Sequence, residues 1–182
     1  MARVPYLNAE DLKPEDRDLL VRPINLHRAL VNSPAAARAF GGLGQFIRHG
    51  SRLDPRLREL AILQVGWLAR SPYEWSHHVK LGLGFGVSED DIHALIADTA
   101  GRPTALDETA RRVLATAREI TETGGLADAS YAALAALFDA ERVTDLVLTI
   151  SFYNAVVRVL ASLAIDVEDE YRPYLEKFPL PG

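Results

Sequence analysis

Asp54-Pro55-Arg56-Leu57-Arg58-Glu59-Leu60-Ala61-Ile62-Leu63-Gln64-Val65-Gly66-Trp67-Leu68-Ala69 decides the fold class. Asp54 before Pro55 is a helix start: the carboxylate can cap free N–H groups, and proline suits the first helical position. Residues 60–69 are apolar on nearly every side, the pattern of a central element buried all round. Ser71-Pro72-Tyr73-Glu74-Trp75-Ser76-His77-His78 follows, and its Ser-Pro repeats the same start chemistry. Two buried helices therefore meet at a Ser-Pro junction, and the ionisable groups with catalytic potential flank it.

Outward from this junction the pattern stays helical. Residues 14–21 and 25–31 read as short helices behind an N-terminal arm (1–13) laid over the body. Ser33-Pro34 opens a third helix that ends near His49-Gly50, with glycines inside it that argue against an unbroken rod. After the helix that Ser71 opens, Ser88 caps another beginning at Glu89-Asp90-Asp91. Residues 106–123, 128–138, 141–165 and 167–178 carry the remaining helical stripes, followed by a Pro-rich tail. No alternating strand pattern and no Asn-Gly or Asp-Gly hairpin turn interrupts them. The expected fold class is all-α, one domain over residues 1–182, with flanking helices on either side of a core at about 54–95.

Composition narrows the function. With 20 basic and 25 acidic residues the net charge is −5, which gives no footprint for nucleic acid or an anionic membrane. Cysteine is absent, and this excludes disulfides, thiolate metal sites and a cysteine nucleophile. The first residues lack a signal-peptide core, and no uninterrupted apolar run reaches membrane-spanning length. The reading is a cytoplasmic protein with no membrane and no nucleic-acid partner.

Glu74 and His78 stand four apart and so share one helical face. His78 lies on the stripe Trp75, His78, Val79, Gly82, Phe85, Gly86 and is expected to point inward, where the glycines would admit a helix or a small ligand. Glu59 opens the central apolar helix, where an unpaired charge would be costly. A buried carboxyl beside an imidazole can exchange protons near neutral pH, as acid–base catalysis requires. Each residue also has a structural reading. Ser71 and Glu74 fit a capping box, His78 fits a satisfied core histidine, and Glu59 can pair with Arg56 or Arg58. Glu74-Trp75-Ser76-His77 is also a Glu-x-x-His step of the kind that di-iron bundles use, but it has no second copy. His77, offset from the buried stripe, is expected to be exposed, and no metal or cofactor is assigned.

These residues resemble the carboxymuconolactone decarboxylase and AhpD-like alkylhydroperoxidase superfamily, most clearly over 54–95. Its signature is a Glu early in one helix, then Cys-x-x-Cys, then a His four residues on. Arg58-Glu59-Leu60-Ala61-Ile62-Leu63 and His78 match, and Gly86-Val87-Ser88-Glu89-Asp90-Asp91-Ile92 looks like the next helix start. Ser71 and Glu74 stand in place of the two cysteines, so the thiol route of the peroxidase branch has no nucleophile and no resolving thiol. Glu74-Trp75-x-x-His78 is instead similar to the decarboxylase branch.

The resemblance implies an AhpD-like helical bundle, oligomeric, whose activity is cofactor-free general acid–base chemistry on a small organic acid or lactone. Glu59 and His78 would handle protons, with Glu74 orienting His78 or meeting the substrate. The alternatives are an AhpD-like protein carrying a peroxidase label without redox cysteines, and a non-catalytic binding or assembly module. Arg56, Arg58, Arg70 and Arg158 are the basic residues considered for receiving a substrate carboxylate.

Overall fold

In the computed structural model, residues 2–181 are described; Met1 of the arm and Gly182 of the tail lie outside them. Nine α-helices make up the chain among these residues, with no β-strand. They are α1 (Asn25–Leu30), α2 (Pro34–Gln45), α3 (Pro55–Leu68), α4 (Pro72–Gly84), α5 (Glu89–Thr99), α6 (Glu108–Thr123), α7 (Asp128–Ala135), α8 (Ala140–Leu163) and α9 (Arg172–Lys177). The fold class is all-α, as the helical periodicity implies.

The caps form as their residue types dictate. Asp54, Ser71, Ser88, Asp107 and Asp139 each accept a backbone N–H from the first turn of the helix they precede. Residues 14–20 form a tighter 3₁₀ turn in place of the expected α-helix. The glycine-bearing helix behaves as its composition suggests. After Gln45 it widens into a π-turn over Phe46–Gly50, closed by the Ser51 N–H bonding the Phe46 carbonyl at 2.9 Å.

α3 is the centre, with Leu60, Ala61, Ile62, Leu63 and Val65 essentially inaccessible and α4, α6 and α8 packed around it. Gly66 lets the α4 backbone approach, since a Cβ there would stand 3.3 Å from the Trp75 nitrogen. Gly82 repeats the device from α4, where a Cβ would stand 3.6 Å from the Glu59 Cβ. The small positions on the α4 stripe thus admit a neighbouring helix and bring Glu59 to His78.

One expectation needs correcting. α8, with 24 residues and a mean hydropathy of 1.7 in its most apolar window, is long and apolar enough to cross a membrane by length and composition. Its Leu146, Ile150, Tyr153, Val157 and Leu160 are buried in the same core as α3 and α6, the packing of a central helix in a globular bundle.

Candidate active site

The α3–α4 turn sets the site. Arg70 takes the left-handed conformation (φ 48°), and the Ser71 N–H returns to the Gly66 carbonyl at 3.0 Å, reversing the chain so that α4 runs back along α3. Ser71 then caps α4 through the Glu74 N–H. Glu74 does not complete the capping box; its carboxylate turns instead to the i+4 residue, His78.

His78 is held between two acids. Its Nδ1 lies 2.7 Å from Glu59 Oε2 and its Nε2 lies 3.0 Å from Glu74 Oε1. All three are buried, at 5%, 1% and 3% exposure for His78, Glu59 and Glu74. Behind them, Arg58 grips Glu59 Oε1 through Nε (3.1 Å) and Nη2 (3.0 Å), and its guanidinium packs over the Phe85 ring. Of the two partners considered for Glu59, Arg58 is the one it takes. Arg56 is committed to Asp91 and Asp107.

With the imidazole protonated this buried row is neutral, Arg58 and His78 set against the two carboxylates. Burial opposes charge on His78, but Glu74 and Glu59 outweigh it and push the imidazolium up to about 9. Burial likewise works against the Glu59 carboxylate, yet His78 and Arg58 hold it below its ordinary value. Glu74 Oε1 accepts no aligned hydrogen bond among the described residues, although His78 is within ion-pair distance. That oxygen is buried, and its contact with His78 is an ion pair.

That oxygen belongs to a residue lining a cavity of about 390 Å³. Glu74, His78 and Tyr153 form part of its wall, and Leu26, Leu30, Phe40, Phe152 and Val156 supply much of the rest. Tyr153 meets His78 edge-on at 4.9 Å, and its burial keeps the phenol protonated. Glu59 and Arg58 sit behind the imidazole, outside the lining. Sequence patterning singles out neither Tyr153, on α8, nor the π-turn residue Arg48, which also lines the cavity.

His77 corrects a second expectation: it is 4% exposed, not a surface residue. Its ring is stacked between Tyr73 (4.0 Å) and Tyr171 (3.5 Å), and Nε2 lies 2.8 Å from Glu168 Oε2. Tyr171 and Glu168 arrive from the far end of the chain, so helical spacing within α4 carries no trace of them. Glu74 and His77 thus turn to different partners, and the Glu-x-x-His step does not converge. Among the described residues no group of three His, Asp and Glu side chains has metal-site geometry.

An all-α bundle with a cysteine-free Glu–His–Glu row at a helix–helix turn defines the class of protein. Residues 34–119 match the Carboxymuconolactone decarboxylase family. Solved structures agree on the fold. The alkylhydroperoxidase AhpD core of an uncharacterized peroxidase-related protein from Ralstonia eutropha JMP134 superposes with a TM-score of 0.81 at 17% identity, covering 96% of this chain and 95% of that one. The debrominase Bmp8 in complex with 2,3,4-tribromopyrrole gives 0.80 at 20% identity, covering 98% and 97%. An uncharacterized peroxidase-related protein from Silicibacter sp. TM1040 gives 0.74 at 18%, covering 94% and 97%. A search of curated proteins finds no match. With no cysteine, the chain is not a thiol peroxidase.

Proposed function

We propose that the chain is a carboxymuconolactone decarboxylase-like enzyme that applies general acid–base chemistry to a small organic acid or lactone. The observation that carries this reading is the placement of His78, charged and buried, between Glu59 and Glu74 at the wall of a largely apolar cavity. A protonated imidazole held in one orientation is a ready proton donor, and the Glu74 carboxylate at the same wall is a proton acceptor.

The roles divide by position. Glu59, clamped by Arg58 and outside the cavity lining, is a positioning residue that fixes the ring and keeps it charged. His78 and Glu74 are the catalytic pair. In a decarboxylation the bond from the reacting carbon to the carboxylate breaks and its electron pair stays on that carbon, delocalised into the conjugated lactone. CO2 leaves, the His78–Glu74 pair delivers a proton to the carbon, and water returns one to the pair. The apolar wall favours the step, because a carboxylate loses its charge on leaving as CO2. The similarly folded debrominase, complexed with a brominated pyrrole, supports a small ring compound as the occupant.

Exposed Phe46, Leu83 and Val21 support the further expectation of a homo-oligomer, which light scattering would test.

The testing experiment is turnover of a panel of lactone acids in D2O, following CO2 release and deuterium at the product carbon. CO2 release with deuterium incorporation, lost in Glu74→Gln, is the expected result. Turnover in Glu74→Gln and His78→Gln equal to wild type would overturn the reading.

A further inference from the structure

From the cavity's charge balance we infer that Arg48 is its anion-holding residue, so that the ligand is an organic acid with an apolar body whose anchoring carboxylate is not the one released as CO2. This deepens, and rests on, the acid–base reading of the same cavity.

Three observations converge on Arg48. First, it lines the cavity with Glu74 and His78, yet its side chain makes no ion pair and no hydrogen bond among the described residues. The other arginines at the cavity or behind it are engaged. Arg38 pairs with Asp16 and Asp18, Arg58 with Glu59, and Arg22 donates to the Tyr171 hydroxyl. Second, the row Arg58, Glu59, His78, Glu74 sums to zero, so it leaves the Arg48 charge uncompensated at a wall made mostly of aliphatic and aromatic carbon. A positive charge in such surroundings favours an anion more than it would in water. Third, Arg48 is anchored beside the row. Its carbonyl accepts Arg58 Nη1 at 3.1 Å, and it sits in the π-turn Phe46–Gly50, a widening of the kind that helices often carry at functional sites.

The ligand chemistry follows from the guanidinium. Its planar fork matches the two oxygens of a carboxylate, and a carboxylate held there leaves the body of the molecule against Leu26, Phe40, Phe152 and Val156. The Arg48 charge already reaches into the cavity, since it is among the influences that hold His27 below its ordinary titration range, after burial and the Arg22 charge. None of Arg56, Arg58, Arg70 and Arg158, the arginines that the sequence nominates, lines this cavity.

The test is isothermal titration of wild type, Arg48→Met and Arg22→Met with benzoate, methyl benzoate and inorganic phosphate. Arg48→Met is expected to fold as wild type, because it removes no internal partner; Arg48→Lys, which keeps the charge, is the control for shape. Wild type should prefer benzoate to its ester, and Arg48→Met should lose about tenfold or more in benzoate affinity while ester binding holds. Arg22→Met should keep the preference. Unchanged benzoate affinity in Arg48→Met, no preference in wild type, loss of preference in Arg22→Met alone, or phosphate bound as tightly as benzoate would each overturn the assignment. The two readings fail separately: the acid–base reading through turnover that survives Glu74→Gln and His78→Gln, the Arg48 assignment through carboxylate selectivity that survives its removal.

Discussion

His78 Nδ1 and Glu59 Oε2 stand 2.7 Å apart across the α3–α4 interface, and both side chains are almost wholly inaccessible to water. Neither would be stable as a lone charge there, so each fixes the ionisation of the other. The pair is the hinge of both stability and chemistry in this protein.

Stability should therefore fall with rising pH. The His78 imidazolium is raised from about 6.5 to about 9 on folding. A group raised in the folded state stabilises fully below its unfolded value and loses that contribution as pH climbs through the folded one. Between pH 6.5 and 9 the loss is on the order of 3 kcal/mol. Chemical denaturation across this range should show the decline in wild type and a flat profile in His78→Gln. An equal decline in both would remove His78 as the cause.

Glu59→Gln should be the most damaging substitution in the row. It leaves the Arg58 guanidinium, 2% exposed, without its carboxylate and removes one of two counter-charges from His78. Breaking a buried pair on one side costs roughly 3–5 kcal/mol. The double variant Arg58→Met/Glu59→Gln should recover part of that loss, and urea midpoints of the three proteins would show whether it does.

How much of this was legible in the sequence depended on the range of the interactions. Helix starts at Ser71-Pro72 and Asp54-Pro55 are local chemistry, and they formed as written. The i,i+4 relation of Glu74 and His78 is local too, and it won over the capping box because the buried imidazole needs a counter-charge more than an N–H at the helix start needs an acceptor. His77 was misjudged because periodicity within α4 measures only that helix's own face, whereas Tyr171 and Glu168 come from the chain's end to enclose it. Arg48 and Tyr153 escaped for the same reason: what marks them is the cavity that distant helices build, not their spacing.

Glu74→Gln should separate chemistry from folding. Glu74 lines the cavity and leaves one oxygen without an aligned hydrogen bond, so the amide fits the same volume and, unlike Glu59→Gln, strands no buried arginine. Losing the carboxylate removes a proton acceptor and a source of the His78 charge, and general acid–base groups typically contribute about 10²–10⁴ in rate. The expected pattern is a kcat reduced by about that factor with a melting temperature lowered less than in Glu59→Gln. A large fall in melting temperature with kcat unchanged would make Glu74 a structural residue.

Glu168 should act as an acid-sensitive latch for the C-terminal segment. Its Oε1 receives the Asn25 N–H at 2.6 Å and the Tyr73 hydroxyl at 3.0 Å, and its Oε2 meets His77 at 2.8 Å. Burial opposes the charge, but His77 and the Asn25 N–H outweigh it and hold the carboxyl down at about 2. A carboxyl depressed in the folded state stabilises fully above its unfolded value near 4.5 and loses that contribution as pH falls toward 2. The segment beyond Glu168 then remains tied by Trp75 Nε1 donating to the Phe178 carbonyl at 2.7 Å and by the Lys177–Glu89 and Lys80–Glu170 pairs at the surface. Surface pairs are weak, so Glu168 carries most of the polar hold on this segment's N-terminal end. Amide hydrogen exchange of residues 167–178 should accelerate in Glu168→Gln at neutral pH and in wild type as pH drops below 4.5, after correction for the intrinsic exchange rate. Protection in Glu168→Gln equal to wild type would mean that the apolar seat of Phe178 holds the segment without the latch.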